Sequence, residues 1–291
     1  MASTIVLKQR IKSVKGTRQI TKAMQLVSAS KMRRAQDYAF KSRAYRDLAY
    51  ELLARLSAIN EVEQQPLFKK RAVKSRLYVV ITSNSGLAGA YNANVLKLLT
   101  KSIKADQDGK VGSRVITIGK KGAQFVRRLQ GVELVGVYDD FKDQPTANDI
   151  RPILNSVMGE YKDETSDEVH LVYTMFRSNI VQEAKALTLL PASADDIPEM
   201  DENVQTISNF EPSVEVVIEQ ITVRLIEAQL WQALLESLAS EHSMRMLAMK
   251  NATDNAKDLI DDYTLELNTA RQAAITQELA EITGGAEALN G

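Results

Sequence analysis

Short apolar runs alternate with helix-like stretches through the middle of the chain: RLYVVIT, NANVLKLLTKSIK, RVITIG, KGAQFVRRL, VELVGVY, ANDIRPILNSVMGEY, EVHLVYTMF and QEAKALTLL. The order reads β-α-β-α-β-α-β-β. Strands of nearly continuous Val, Ile, Leu and Tyr are buried on both faces, which predicts a mainly parallel, Rossmann-like sheet flanked by helices, its last two strands forming an antiparallel edge. The acidic segment PASADDIPEMDENVQTISNFEP then leads out of the sheet as a loop.

Outside this window the pattern changes because the helix breakers vanish. All 6 prolines lie between Pro66 and Pro212, and of the 13 glycines only Gly16 precedes that window, with Gly284, Gly285 and Gly291 closing the chain. Both ends can therefore be long helices. From Ser213 to Thr283 nothing interrupts the second one, and about 70 residues at 1.5 Å rise would run roughly 105 Å. A rod of that length is stable only when something packs along it. Met249, Ala252, Ala256, Leu259, Tyr263, Leu267, Ala270 and Ala274 recur every three or four residues, a coiled-coil stripe. Ile20, Met24 and Val27 form a short stripe at the other end, and Tyr45, Leu48, Leu52 and Leu56 form another. Small residues crowd both helices (Ala23, Ser28, Ala29, Ser30, Ala35; Ala248, Ala252, Ala256) and would let two axes approach closely. The expected fold is α/β: a long antiparallel coiled coil of N- and C-terminal helices (1–60 and 213–287) plus a Rossmann-like domain (75–190).

Charge favours the same pairing. Residues 1–46 hold twelve Lys/Arg and one acid, Asp37, whereas residues 241–291 hold nine acids and four bases, within a chain of 37 Lys+Arg and 37 Asp+Glu. Exposed ion pairs contribute only about 0.2 to 1 kcal/mol each, so the bias selects a partner more than it stabilises one. A seam takes about two residues in seven, which leaves many bases facing outward toward something acidic. With 291 residues, 44% hydrophobic and 25% charged, the composition fits a globular protein. Zero cysteines exclude disulfides, thiolate metal sites and a Cys nucleophile. No charged-then-apolar leader and no apolar run of about 20 residues are visible, so a cytosolic face is expected, with membrane contact made only through partners.

Candidate chemistry is sparse. The turn SNSGLAGAYNANV, Ser83 to Val95, joins a strand to a helix, a geometry that can cradle phosphate. A P-loop needs Lys and Ser/Thr directly after its last glycine, whereas Ala90, Tyr91 and Asn92 stand there; the dinucleotide fingerprint lacks its third glycine. A plain strand-to-helix turn with Asn92 as helix cap is expected. His170 and His242 have no second ligand at metal spacing, and the pairs Asp139–Asp140 and Asp195–Asp196 suit solvated turns. No catalytic constellation, metal site or cofactor site emerges.

The ends are the most specific part of the chain. ITKAMQLVSASKMRRAQ (Ile20 to Gln36) resembles the N-terminal helix of the gamma subunit of F-type ATP synthases, and SEHSMRMLAMKNATDNAKDLI with YTLELNTARQAAITQELAEITGGAEAL (Ser240 to Ile260, Tyr263 to Leu289) resembles its C-terminal helix. The turn SNSGLAGAYN is similar too, with Asn84, Ser85 and Ala88 where the family usually has Asp, Arg and often Cys. No cysteine-bearing regulatory insertion is present, so a thiol switch is not expected. The resemblance implies a non-catalytic rotor shaft within a ring of alternating alpha and beta subunits, with the α/β domain at the foot beside epsilon and the c-ring, peripheral on the cytoplasmic side of the inner membrane. It implies that Met24, Lys31, Arg33 and Arg34 face acid-rich levers of beta, and that Arg245, Arg271, Gln272, Thr276 and Gln277 make polar contacts with beta. Leu279, Ala280, Ile282 and Ala286 would form an apolar sliding surface, and Glu211, beside Pro212, would meet the c-ring. Two other readings stay open on the residues alone: a nucleic-acid-binding coiled coil using the basic N-terminal helix, and a small-molecule enzyme on the α/β domain. Against the former, no aromatics are interleaved with the bases to stack on nucleobases.

Overall fold

Residues with no helix breaker between them become helix in the computed structural model, which describes residues 4–57, 66–141, 145–192 and 214–290, without the side chains of 43–47, 49–50, 52–57, 214–215 and 287–290. Helix α1 is Thr4–Ser57 and α5 is Val214–Asn290, 54 and 77 residues long. Between them lie β1 (Ser75–Ile81), α2 (Tyr91–Asp108), β2 (Gly112–Ile118), α3 (Lys120–Val126), β3 (Val132–Tyr138), α4 (Arg151–Lys162, entered through a 3₁₀ turn), β4 (Glu168–Phe176) and β5 (Gln182–Leu190). The strand order is β3-β2-β1-β4-β5. All pairs are parallel except β4 with β5, where His170 stands opposite Thr188. The sheet and its antiparallel edge match the alternation in the sequence.

The chain forms two compact units. One comprises residues 29–245 and contains the sheet. Successive side chains of a strand point to opposite faces, so Leu77, Val79 and Ile81 enter one core layer while Tyr78 and Val80 enter the other. The second layer is covered by Val95, Leu99 and Ile103 of α2. The first is covered by α4 and by α5 itself, through Leu225, Ile226, Leu230, Ala233 and Leu234. From Leu225 to Ser243 no residue of α5 is exposed, the signature of a helix buried on all sides. Several of those residues are polar and each is satisfied locally: the Thr174 amide donates to Ser237 Oγ at 3.2 Å, Ser243 Oγ to the Asn179 carbonyl at 2.8 Å, and Gln232 Nε2 to Glu236 Oε1 at 2.7 Å.

The other unit joins residues 1–28 to 246–291. Thr253 Oγ1 donates to Thr21 Oγ1 at 2.8 Å, and the Arg10 guanidinium lies 5.9 Å from the centre of the Tyr263 ring, so the two helices run antiparallel. The seam differs from the expected stripes. On α1 it is Leu7, Ile11, Thr21 and Ser28, with Leu7, Thr21 and Ser28 in heptad register and Ile11 one turn after Leu7, while Ile20 and Val27 are 63% and 53% exposed and Met24 is half-buried. On α5 it runs Met249, Thr253, Ala256, Ile260, Tyr263, Leu267 and Ala270, so Thr253 and Ile260 replace the expected Ala252 and Leu259, and Ala274 is exposed. A strict 4-3 alternation keeps a seam facing its partner, and threonine and serine occupy it where the apolar stripe does not. Of the second expected stripe, Leu48 is exposed and the side chains of Tyr45, Leu52 and Leu56 lie outside the described residues. The expected acid–base pairing is absent for the neighbouring bases: among the described residues Lys8, Lys12, Lys15, Arg18 and Lys22 make no ion pair within 4.0 Å.

Two outcomes test this packing. Ala256→Trp should lower stability by about 1 to 3 kcal/mol in thermal unfolding, because the residue is buried in the seam, with Ala252→Trp milder since Ala252 is only half-buried. Equal effects would place the seam elsewhere. Gly119 has φ +101° and a Cβ there would sit 2.2 Å from the Thr82 carbonyl oxygen, so Gly119→Ala should cost more than about 2 kcal/mol in denaturant unfolding.

Candidate partner-binding interface

The loop that leaves β1 is held almost entirely by its own polar groups. The Ser83 amide donates to Asn92 Oδ1 at 3.0 Å, Asn92 Nδ2 to Ser83 Oγ at 2.7 Å, and Ser83 Oγ to the Ser85 carbonyl at 2.6 Å. Asn92 is thus not the cap of α2. Ala90 occupies that position without a side-chain cap, and Asn92, one turn-residue further in, reaches back to fasten the loop. Asn84 works in both directions, Nδ2 donating to the Asp139 carbonyl at 2.9 Å and Oδ1 accepting from the Lys120 amide at 3.0 Å. An aspartate there could accept but not donate, so the amide ties the ends of β1, β2 and β3 in a way an acid would not.

After Asn84 the backbone turns through two left-handed residues, Leu87 at φ 61° and Gly89 at φ 56°. Glycine adopts this region readily, but a leucine there costs about 1 to 2 kcal/mol. Its side chain recovers nothing from the core, being 63% exposed. Beneath the loop lies Arg245 of α5, itself only 7% exposed. Its Nη2 donates to Ser85 Oγ at 3.0 Å and to the Gly86 carbonyl at 3.3 Å, and Nη1 pairs with Glu241 Oε1 at 2.7 Å. A cavity of about 150 Å³ opens beside it, bordered by Lys31, Asn84, Tyr91, Glu241 and His242. Tyr91 is fully buried there; burial first, then the Glu241 charge, pushes its hydroxyl far above the ordinary range against the opposing pull of Ser237 and Arg245, so it stays a neutral packing residue.

The residues singled out by resemblance divide by exposure. Arg33 and Arg34 point outward from α1, and Lys31 is half-buried at the cavity. Arg245 is not on a surface at all: a buried guanidinium must be paired, and each of its partners comes from this chain. Arg271, Gln272, Thr276, Gln277, Leu279, Ala280, Ile282 and Ala286 are all exposed. Thr276 Oγ1 donates to the Gln272 carbonyl at 2.9 Å and Gln277 Nε2 to Glu281 Oε1 at 3.0 Å, contacts within the helix that leave the outer face open. Glu211 lies outside the described residues. Sequence reasoning missed Ser85, Tyr91, Glu241 and His242, whose roles arise from distant segments meeting; the i, i+4 spacing of Glu241 and Arg245 was the only local signal. Among the described residues no group of His, Cys, Asp and Glu could hold a metal ion.

From Ala274 to Ala286 every residue of α5 is exposed, including Ile275, Leu279 and Ile282. A helical segment that buries nothing within its own chain is marginal in water, and three large apolar side chains on it describe a surface built to be covered.

The family model described as ATP synthase matches residues 3–289. The chain is 37% identical over 289 residues to an ATP synthase gamma chain of Staphylococcus saprophyticus, covering 99% of this chain and 100% of that one. With the ATP synthase gamma chain of Moorella thermoacetica it shares 41% identity, again over 99% and 100% of the two chains. A chain from the central stalk and c-ring structure of Tetrahymena thermophila mitochondrial ATP synthase, 25% identical, covers 80% of this chain and 99% of that one with a TM-score of 0.63. The fold also matches a chain of Euglena gracilis mitochondrial ATP synthase at a TM-score of 0.68 over 99% of this chain and 94% of that one, at 19% identity. With both long helices and the sheet between them inside the matched span, the chain belongs to the ATP synthase gamma-chain family, a non-catalytic subunit of that enzyme.

Proposed function

We propose that this chain is the rotor shaft of an F-type ATP synthase, coupling ion-driven rotation of a c-ring to conformational cycling of a ring of alpha and beta subunits. The terminal helices engage the alpha/beta ring, and the sheet domain, residues 75–190, meets epsilon and the c-ring. The observation that carries this reading is the uncovered end of α5. Thirteen consecutive exposed helical residues, 274–286, with Ile275, Leu279 and Ile282 among them, need an enclosing partner, and a weakly directional apolar lining lets that partner slide. The bases that face outward on α1, Arg33 and Arg34 among them, and Arg271 on α5 suit acidic levers on the ring.

Like catalytic sites become unlike only when something contacts them differently. Moving one site from 1:99 to 99:1 between two conformations takes about 5.5 kcal/mol of differential contact energy. Exposed ion pairs at about 0.2 to 1 kcal/mol each would have to act in numbers, so burial of apolar side chains in one orientation and not another must carry a large share. The chain acts on nucleotide sites that belong to other subunits. No helix among the described residues is long and apolar enough to cross a membrane, and the reading places the chain at the inner face of the cell membrane through its partners.

Co-expression with alpha and beta subunits should recover one copy of this chain per hexamer, with ATP turnover by the complex depending on its presence; a hexamer equally active without it would end the proposal. Replacing both Arg33 and Arg34 with alanine should lower coupled synthesis roughly two- to tenfold, more at low salt than at high salt, as expected for exposed charge pairs. Loss that ignores ionic strength would assign those residues to packing instead.

A further inference from the structure

Charge is segregated on the sheet domain as well as on the terminal helices. Residues 91–131 hold nine Lys/Arg and two acids in a chain whose charges balance. The topology gathers them on one surface, because α2 through Val95, Leu99 and Ile103 and α3 through Val126 pack on the same layer of the sheet. Gln107 Nε2 donates to the Gln130 carbonyl at 3.3 Å and fastens the two helix ends together. On the outward side Lys97, Lys101, Lys104, Lys110, Arg127 and Arg128 are all exposed, and among the described residues none of the six makes an ion pair or a side-chain hydrogen bond. Asp106 is buried and taken up by Arg76, Tyr78 and Ser113, which leaves Asp108 as the acid this stretch presents at the surface. The last turn of α2 holds no base, so compensation of the helix dipole does not explain Lys97, Lys101 and Lys104. Like charges gathered without partners repel, a cost that an anionic neighbour removes.

We propose that this α2–α3 face rests against the anionic headgroups of the bilayer that carries the c-ring, a direct contact added to the anchoring through partners. This rests on the rotor reading above. The composition of the face selects a lipid surface over other acidic partners. Among the described residues no large hydrophobic side chain between Leu87 and Ile180 is exposed, whereas a protein interface centres on apolar or aromatic anchors and is depleted in lysine. Tyr91 is buried and Phe125 half-buried, so no aromatic platform is offered to nucleobases. Four of the six bases are lysines, whose ammonium on a flexible stem is a non-directional charge. That suits a rotor: a fluid bilayer offers the same field at every angle, while a fixed acidic patch would hold the shaft at one. Placement agrees with the chemistry. The α2–β2 turn lies at the amino-terminal edge of the strands, where the Gly112 amide donates to the Lys74 carbonyl at 2.8 Å. Near its start α5 adjoins the last residue of α4 at that edge, Lys162 Nζ meeting Glu219 Oε1 at 2.6 Å, and α5 reaches the opposite edge at Arg245. Lys104, Lys110, Arg127 and Arg128 therefore lie at the end of the domain where α5 starts, away from the edge at which it leaves. Each base near a headgroup layer strengthens binding roughly fivefold, and the attraction fades beyond about 8 Å at physiological salt.

The test uses the purified complex of this chain with alpha, beta and epsilon subunits, in which the ring covers the basic N-terminal helix. It is sedimented with vesicles of phosphatidylcholine alone or of phosphatidylcholine mixed with phosphatidylglycerol. Assembly and chain-dependent ATP hydrolysis test the rotor reading; vesicle binding by the assembled complex tests the face. The complex should sediment with the anionic vesicles, stay free of the neutral ones and be released at high salt. Lys104→Gln with Arg128→Gln should weaken binding roughly tenfold or more, with assembly and hydrolysis unchanged, and Lys101→Gln with Lys104→Gln serves if the first pair does not fold. Lys185→Gln, which removes an exposed base on β5, should leave binding within about twofold. Amine acylation of Lys97, Lys101 and Lys104 should proceed freely in the lipid-free complex and slow on anionic vesicles. An assembled complex that ignores anionic vesicles, equal binding to neutral ones, a double variant that binds as before, or lysines already protected by a protein subunit before lipid is added would each overturn the proposal.

Discussion

A helix of 77 residues must be covered along its length, and how α5 meets that requirement organises everything else. Its first part is a core element: from Leu225 to Ser243 nothing on it is exposed, and it closes one face of the sheet as another protein would use a separate packing helix. From Met249 to Ala270 only one stripe is buried, against α1. From Ala274 to Ala286 nothing is buried. One continuous helix therefore satisfies three different burial patterns, and the side-chain chemistry follows each in turn, from apolar residues with paired polar ones such as Gln232 and Glu236, through a heptad seam, to polar residues mixed with exposed aliphatics.

The seam between α1 and α5 departs from what maximal stability would choose. Thr21 and Thr253, which meet across the seam, and Ser28 on α1 take positions that leucine or isoleucine would fill more favourably. Small residues permit close approach of the axes, and the threonine pair gives the interface a single polar contact that is satisfied in one register only. A two-helix seam of uniform leucine could slip by a heptad at little cost; here a slip would lose the contact between Thr21 and Thr253, leaving each hydroxyl the carbonyl of its own helix, Arg18 at 3.1 Å and Met249 at 2.7 Å. The net worth of that one hydrogen bond, about 0.5 to 1.5 kcal/mol, favours the observed register.

The sheet was legible almost residue by residue, because strands buried on both faces, such as Leu77 to Ile81, leave unbroken apolar runs between glycine and polar turns. The antiparallel edge was legible for the same reason. The seam was misread in part. Ile20, Leu26 and Val27 are apolar but face outward, whereas Thr21 and Ser28 face inward, so hydrophobicity and burial are uncoupled on the first helix. That uncoupling is what a helix with two partners produces, one inside the chain and one outside it. Asn92 looked like a cap because asparagine at a helix start usually is one; its amide instead matches Ser83 across the loop. The burial of Arg245 was not legible at all, since its partners Ser85 and Gly86 lie about 160 residues away in sequence.

Where the chain breaks the rules of a self-sufficient domain, it does so in related ways. Leu87 has a left-handed backbone and an exposed apolar side chain; Ile275, Leu279 and Ile282 sit on a helical segment exposed throughout; and among the described residues Lys8, Lys12, Lys15, Arg18 and Lys22 of α1 make no ion pair. Each is an unfavourable local choice, and random error would scatter such choices through the structure. They instead avoid the sheet, whose core is satisfied apart from a single hydroxyl, Thr174 Oγ1, among the described residues. Consistency in the core with violations confined to outward surfaces is the pattern expected when the missing favourable terms are supplied by other chains. On the rotor reading proposed above, it is also what torque transmission would require. Contact energy that was already satisfied within the chain could not change as the shaft turns, so only groups left unsatisfied in isolation are available to distinguish one orientation of the ring from the next.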